Sequence, residues 1–201
     1  AKGILPPGFP GYNEELQGLE FDPLKAKELI EESKYKDPTD LPRIVLSISG
    51  AGGSASRSVT ALVEMWRKNL GADVEIEQVE SATFLTDLKR HRYQMFILGW
   101  VADYPDPENF LDILFHSKSP SNSGQYANAD VDRFLEQARV ESDSSKRMEL
   151  YQQVEQTIVD EAPWIPLTHG RGYVLVKPYV EGYVHLPMIV PALRNVSVKD
   201  H

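Results

Sequence analysis

The decisive stretch of this sequence is Tyr93-Gln94-Met95-Phe96-Ile97-Leu98-Gly99-Trp100-Val101-Ala102-Asp103-Tyr104-Pro105-Asp106-Pro107-Glu108-Asn109-Phe110, in which an apolar run meets a polar, proline-rich loop. The unbroken apolar run Met95–Leu98 predicts a strand with both faces covered, as in a parallel α/β sheet. Gly99 ends this strand. Since ligands of open α/β sheets bind outside the carboxyl ends of the strands, the residues that follow are the first candidates for a binding site.

The loop after Gly99 is short and stiff. Pro105 biases Tyr104 towards an extended backbone, and Asp106-Pro107 is a typical helix start, with Asp106 as the N-cap and Pro107 at the first helical position. Asp103 is therefore a fixed carboxylate that we expect to be partly removed from water, where it needs a cation or several donors. Two partners stay open: an Arg of the same lobe, or a ligand ammonium group with Trp100 and Tyr104 as aromatic walls.

Composition excludes several classes of protein. The chain has 201 residues, 41% hydrophobic and 25% charged, which is ordinary for a globular protein with a sizeable core. The formal net charge of -9 argues against a nucleic-acid partner, which requires clustered Lys and Arg. No run is long enough to cross a bilayer, and Ala1 opens no signal-peptide pattern. Cys is absent, so there is no disulfide or thiolate site.

Strands and helices alternate up to the decisive stretch, which predicts an α/β fold with a parallel sheet. The predicted elements, with their expected buried residues, are a helix from Asp22 to about Tyr35 (Leu24, Leu29, Ile30), a strand over Arg43–Ser49, a helix with one apolar stripe (Val59, Leu62, Val63, Trp66, Leu70) stopped by Gly71, a strand over Asp73–Glu80, and a helix capped by Ser81 (Phe84, Leu85, Leu88).

The chain after residue 110 is predicted to be mainly helical. It comprises a surface loop over Ser117–Gln125, a helix capped by Asn128 (Val131, Phe134, Leu135, Ala138), a helix through Met148, Tyr151, Val154 and Ile158 to Ala162, and two β-like runs at Ile165–His169 and Tyr173–Lys177. The pattern beyond Pro178 does not assign an element.

A glycine-rich turn offers an alternative function. Gly50-x-Gly52-x-x-Ala55 lies between a predicted strand and a predicted helix, which is the setting of a dinucleotide-binding turn, and Glu80 is the nearest acidic candidate for the ribose. Such turns also arise without any phosphate ligand, and this one lacks the Gly-Lys-Ser/Thr ending of a nucleotide P-loop.

Metal and catalytic motifs are incomplete. Asn128-x-Asp130-x-Asp132 begins like a calcium loop, but Arg133 and Arg139 stand where Gly and Glu are required, so a helix cap is the better interpretation. No two His residues have metal-ligand spacing, and no nucleophile elbow is present. Asp103 with Asp106 or Glu108 forms an imaginable acid/base pair, but Asp106 is better explained as a cap. We expect no metal, no cofactor and no enzymatic activity.

The segment Gly99–Leu111 resembles the signature segment of the family 5 extracytoplasmic solute-binding proteins of ABC transporters, which carry oligopeptides, dipeptides or nickel. Ordered segments elsewhere agree with this resemblance: Pro6-Pro7-Gly8 with Gly11-Tyr12, Phe21-Asp22-Pro23, Ser123–Asn128 and Asp160–Leu167. Ala129 stands where the family commonly has Pro. The chains of the family are far longer, so this chain resembles one excised lobe.

The resemblance implies one lobe of a periplasmic-binding-protein type II-like fold, with a central, mostly parallel sheet flanked by helices. The implied division is a hinge segment over residues 1–15, a solute-binding lobe over 16–178, and a C-terminal extension over 179–201 that returns toward the other lobe. The missing N-terminal lobe would close the cleft, and the closed form would dock on an ABC permease. The implied location is periplasmic or extracellular, and the full-length protein could carry a lipid anchor.

The resemblance also implies the site. A peptide or another amine-bearing solute would be held through its main chain, and the carboxylate matching Asp103 would pair with its terminal ammonium group. The implied ligand-binding residues are Gly99, Trp100, Val101, Ala102, Asp103 and Tyr104. A sensor domain derived from such a lobe is a further alternative.

Overall fold

The computed structural model describes residues 1–185 and 193–199. The chain forms two compact units, one built from residues 20–99 and the other from residues 1–19 together with the chain from residue 100 onward. The sequence-based division into residues 1–15, 16–178 and 179–201 stays a prediction. Within the described residues, no helix combines the length and apolarity that a membrane span requires.

A three-stranded parallel sheet organises the unit 20–99. Its strands are β1 (Ile44–Ser49), β2 (Val74–Val79) and β3 (Met95–Phe96), in the order β2-β1-β3. In the central strand β1, Leu46 is paired with Ile76 on one side and with Met95 on the other. The parallel sheet and the α/β class predicted from the alternation of elements are confirmed.

Three helices accompany the sheet: α1 (Pro23–Glu32), α2 (Arg57–Leu70) and α3 (Ser81–Lys89), with a short 3-10 helix at Pro38–Asp40. The predicted apolar stripe of α2 is confirmed, since Val63 is buried against Leu46, Ile48 and Val74. Gly71 ends α2 in the left-handed conformation (φ 70°), as predicted, and its N–H donates to the carbonyl of Arg67.

The predicted buried face of α1 is wrong. Leu24 is 74% exposed and Leu29 is also exposed, whereas Pro23, Ala26 and Ile30 are partly buried. These last three residues are spaced by three and four positions and so share one face of the helix. The helix ends at Glu32 rather than near Tyr35.

Two details around the sheet also differ from the predictions. The N-cap of α3 is Glu80 rather than Ser81, and Leu85 is exposed. The run Met95–Leu98 forms only the two-residue β3, and Leu98 is exposed. Because β3 is an edge strand paired with β1 alone, it is not covered as the central strand is.

The second unit is built around α4 (Glu108–Phe115), α5 (Ala129–Val140) and α6 (Ser144–Glu161). Asn128 caps α5 as predicted, and the predicted apolar faces of α5 and α6 are buried. The fully buried core of this unit is formed by Leu5, Leu111, Phe115, Val131, Leu135, Ala138, Tyr151 and Val154. β4 (Val180–Glu181) pairs with β5 (Ser197–Val198) in a two-stranded antiparallel sheet beyond Pro178, where the sequence pattern assigns no element.

The β-like runs Ile165–His169 and Tyr173–Lys177 form no strand in the structure. Leu175 is 99% exposed, and Tyr173, Val174 and Val176 are also exposed. Strand propensity yields a strand only where a neighbouring strand supplies hydrogen bonds, and no described segment pairs with these runs.

The first residues of the chain have no helix or strand, but they are anchored to the second unit. The buried Glu155 accepts hydrogen bonds from the N–H groups of Ile4 and Leu5, both at 2.7 Å to Oε1. Its Oε2 has no partner among the described residues, and burial raises the pKa of Glu155. A Cβ atom at Gly3 would clash with Leu16 Cδ2 and lie 2.7 Å from Glu155 Oε1, so a larger residue there requires these side chains to shift.

Candidate functional site

The loop of residues 100–107 is fixed by Asn109, a residue of α4 that is fully buried. The Oδ1 atom of Asn109 accepts a hydrogen bond from Trp100 Nε1 at 3.1 Å and another from the Asp103 backbone N–H at 3.2 Å. Its Nδ2 atom is buried without a partner in the part of the chain that the structure describes. One oxygen atom therefore fixes the positions of both the Trp100 indole and the Asp103 backbone.

An ion pair fixes the far end of the same loop. Asp106 receives Arg147 Nη1 at 2.7 Å on Oδ2 and Nη2 at 2.8 Å on Oδ1. Arg147 also donates to the hydroxyl of Tyr151 at 3.0 Å and to the carbonyl of Ala138 at 3.1 Å. Burial acts to raise the pKa of Asp106, but the hydrogen bonds from Arg147, the hydrogen bond from the Glu108 N–H and the charge of Arg147 together hold this pKa below its usual value.

The predicted hydrogen bond from the start of the next helix to the Asp106 side chain is present, but the helix begins one residue later than predicted. The Oδ1 atom of Asp106 accepts a hydrogen bond from the Glu108 N–H at 3.0 Å. The helix itself begins at Glu108, and Pro107 precedes it rather than occupying its first position. Since the Asp106 carboxylate is held by Arg147, it is unsuited to serve as one half of an acid/base pair.

Asp103 differs from Asp106 in both exposure and partners. Its side chain is exposed, so the expectation that it is partly removed from water is wrong; the neighbouring Ala102 takes the buried position instead. No described residue forms a hydrogen bond or ion pair with the Asp103 carboxylate. The alternative of a permanent internal Arg partner is therefore wrong as well, because Arg147 pairs with Asp106.

Both aromatic residues of the loop have their polar atoms occupied. The Trp100 indole N–H is bound by Asn109, and the Tyr104 hydroxyl donates to the Glu108 carboxylate. Burial raises the pKa of Tyr104, and its hydrogen bond to Glu108 adds to this effect. What Trp100 and Tyr104 can offer a ligand is the apolar face of a ring, and Asp103 is the charged group beside them.

The backbone of the loop carries further unpaired groups. Within the described part of the chain, the N–H and C=O groups of Gly99, Trp100, Val101 and Ala102 form no hydrogen bonds. Gly99 is the last residue of the unit 20–99, and the other predicted site residues belong to the second unit. Their placement at the outlet of the sheet, like their role as ligand contacts, stays a prediction.

The residues of the dinucleotide alternative have structural roles. Glu80, the candidate for the ribose, accepts hydrogen bonds from the N–H groups of Ala82 at 3.0 Å and Thr83 at 3.1 Å, which lower its pKa. Gly52 and Gly53 adopt positive φ angles of 90° and 105°, as a tight turn requires.

Asn128 of the incomplete calcium motif accepts hydrogen bonds from the N–H groups of Asp130 and Val131.

The sequence did not reveal Asn109 and Arg147 as parts of the site. One signal was available for Asn109, since an Asn beside Phe110 and Leu111 in the first turn of a helix lies among residues that are normally buried. Arg147 lies 41 positions from Asp106 along the chain, and no local pattern connects the two residues.

Comparison with known proteins places these observations in a family. Residues 1–122 match the profile of the bacterial extracellular solute-binding proteins, family 5 Middle. The chain is 32% identical over 206 residues to the oligopeptide-binding protein OppA of Bacillus subtilis, covering all of this chain and 37% of that protein. It is 30% identical over 200 residues to the heme-binding protein A of Haemophilus influenzae, covering 98% of this chain and 37% of that protein.

Solved structures agree in fold. The ABC transporter-associated periplasmic binding protein DppA from Helicobacter pylori, in complex with the peptide STSA, superposes with a TM-score of 0.79 at 25% identity. This match covers all of the present chain and 39% of that one. The chain thus spans well under half the length of the relatives it matches. Since the family profile covers more than half of the chain, this protein belongs to family 5 of the bacterial extracellular solute-binding proteins.

Proposed function

We propose that this chain is part of the substrate-binding component of an ABC importer, and that it binds peptides or other amine-bearing solutes without catalysing a reaction. Its relatives are named as binding proteins and not as enzymes, which disfavours the nucleotide-dependent alternative. The remaining partners are an N-terminal lobe of the same protein and a membrane permease. The proposed location is the periplasm or the cell exterior, with a lipid anchor as one possible form of attachment.

One observation carries the proposal: the loop presents an exposed carboxylate that no residue of the described chain neutralises. Asp103 stands on a backbone fixed by Asn109, on the same loop as Trp100 and Tyr104, whose indole N–H and hydroxyl group already form hydrogen bonds. This combination suits an ammonium group with apolar neighbours. The unpaired backbone groups of Gly99 to Ala102 suit the main chain of an extended peptide. Ala102 is only 2% exposed, so among the loop residues it is the least accessible to a ligand.

Exposure of Asp103 explains why a second lobe is needed. Two unit charges 4 Å apart attract each other by about 1 kcal/mol in water, but by about 4 kcal/mol at the effective dielectric constant of a protein surface. This chain by itself leaves the carboxylate in water, so we expect it to bind peptides weakly. A lobe that closes over the ligand would exclude water from the ion pair and strengthen it.

The test compares a peptide carrying a free amino terminus with its N-acetylated form, by calorimetry on the complete protein that contains this chain. We expect acetylation and Asp103→Asn each to weaken binding about 10- to 100-fold, as loss of a charge-assisted contact does. Because both changes remove the same ion pair, their combination should cost little more than either one. Asp130→Asn is a matched control, since Asp130 is an exposed aspartate of α5 whose one ion-pair partner among the described residues is Arg133.

Equal affinities for the free and the acetylated peptide would refute the ion-pair mechanism. Fluorescence titration with NAD(H) tests the enzyme alternative, and saturable binding there would favour it instead.

A further inference from the structure

We propose that Asn109 is a positioning residue for ligand binding, which sets the place of both the Asp103 carboxylate and the Trp100 ring through its single carbonyl oxygen. This inference rests on the proposed function of Asp103. It adds a residue that has no ligand contact of its own, because Asn109 is 0% exposed.

The two hydrogen bonds define the orientation of the Asn109 amide group. Both groups that face its Oδ1 atom, Trp100 Nε1 and the Asp103 N–H, are donors, so a reversed amide would bring three donor groups together. The oxygen therefore faces the loop. Asn109 thus holds two residues of the loop, Trp100 and Asp103, and a side chain without an acceptor at position 109 would break both hydrogen bonds.

Stability alone does not explain an asparagine at this position. Its Nδ2 group is buried and makes no hydrogen bond of good geometry among the described residues; the acceptor beside the Asn109 side chain is the Tyr104 hydroxyl, which belongs to the same loop. A buried donor that is left unsatisfied costs free energy that an apolar side chain of similar size would avoid. The core around α4 is formed by apolar residues such as Phe110, Leu111 and Leu114. The oxygen of Asn109 has a use that a leucine could not replace, namely the two bonds to the binding loop.

The geometry also limits the chemistry of the site. With its indole N–H held by Asn109, Trp100 offers a ligand its ring face and no hydrogen bond. The Asp103 N–H is likewise unavailable to a ligand carboxylate. The loop is therefore built to accept a cationic group and does not donate hydrogen bonds from these two positions.

A double-mutant cycle in the complete protein tests whether Asn109 acts through Asp103. The variants are Asn109→Leu, Asp103→Asn and their combination, and the probe is the peptide with a free amino terminus together with its N-acetylated form. We expect Asn109→Leu to weaken binding of the free-amine peptide about 10-fold in the parent and less than about 3-fold in the Asp103→Asn background. The acetylated peptide should respond less than about 3-fold. Equal losses in both backgrounds, or no loss in the parent, would overturn the proposal.

Asn122→Leu is the matched control. Asn122 is also a buried asparagine of the second unit, and it binds the backbone of Tyr126 and His116 without contacting the loop of residues 100–107. We expect this variant to lower thermal stability while leaving peptide affinity within about 2-fold of the parent. A loss of affinity equal to that of Asn109→Leu would show that general destabilisation is the cause.

An NMR signal separates the positioning role from a failure of the proposed function. The indole N–H resonance of Trp100 should move upfield in Asn109→Leu and stay in place in Asn122→Leu, because only the first variant removes its acceptor. Asn109→Asp, which keeps an oxygen at the same place, should keep the Trp100 signal. If Asn109→Leu does not fold, Asn109→Ser takes its place in the double-mutant cycle.

Loss of affinity in Asn109→Leu with an ineffective Asp103→Asn would refute the role of Asp103 itself. An effective Asp103→Asn with a neutral Asn109→Leu would refute only the positioning role.

Discussion

Replacement of Arg147 by Met should destabilise the second unit through the loss of its contacts with Asp106. The guanidinium group makes two charge-assisted hydrogen bonds to Asp106, one bond to the Tyr151 hydroxyl and one to the Ala138 carbonyl. Removing one partner of a buried ion pair costs about 3–5 kcal/mol. Because the side chains of Arg147 and Asp106 keep 24% and 31% of their exposure, we expect the lower end, about 3 kcal/mol. For a chain of this size that lowers Tm by about 6–12 °C.

Urea denaturation at neutral pH measures this cost, and hydrogen exchange of the α6 amides assigns it to the second unit. In the Asp106→Asn background the cost should fall by at least about 1 kcal/mol, because the two residues share their hydrogen bonds. Arg133→Met is the matched control: Arg133 is 53% exposed and pairs with the exposed Asp130, so we expect a loss below about 1 kcal/mol. A cost no larger than that of the control, or equal costs in both backgrounds, would refute the reasoning.

Three further predictions concern single residues. Burial raises the pKa of Glu155, so the stability that this residue contributes is fully present at acid pH. That stability is lost as the pH rises from the ordinary glutamate pKa through the raised one. Denaturation experiments between pH 4 and 8 should therefore show Glu155→Gln gaining stability relative to the parent, and a constant difference would contradict this. Glu80→Ala should lower the Tm measurably in a thermal melt, because it removes the acceptor of two N–H groups at the start of α3. Gly71→Ala should cost about 1 kcal/mol because Gly71 ends α2 at a positive φ, whereas Gly170→Ala, where the added methyl meets no atom within 4 Å, should be nearly neutral.

The sequence predicted those parts of the fold that depend on short-range patterns. The alternation of strands and helices gave the parallel sheet, and the caps at Asn128 and Gly71 are where the sequence placed them. A cap depends on a side chain and on N–H groups a few positions away, so its signal lies within one short window of sequence.

The failed predictions depend on distant contacts. Leu24 and Leu29 have the apolarity of buried residues, but which face of α1 is covered is decided by its contacts with α2, which no local pattern shows. The Tyr173–Lys177 run has strand propensity without a neighbouring strand among the described residues. The sequence does not show whether Arg147 forms an ion pair with Asp103 or with Asp106, because both carboxylates lie on the same loop. Only the fold shows that it binds Asp106.

The anchoring of the first residues by Glu155 has a consequence for how the protein is made. On the ribosome, Ile4 and Leu5 are synthesised before α6, and the carboxylate that accepts their N–H groups follows about 150 residues later. At a translation rate of about 5–20 residues per second, this delay is about 8–30 s. During that time the whole of residues 20–99, which form a separate unit, is synthesised and can begin to fold. The segment that carries Ile4 and Leu5 therefore lacks its hydrogen-bond acceptor until α6 has been synthesised.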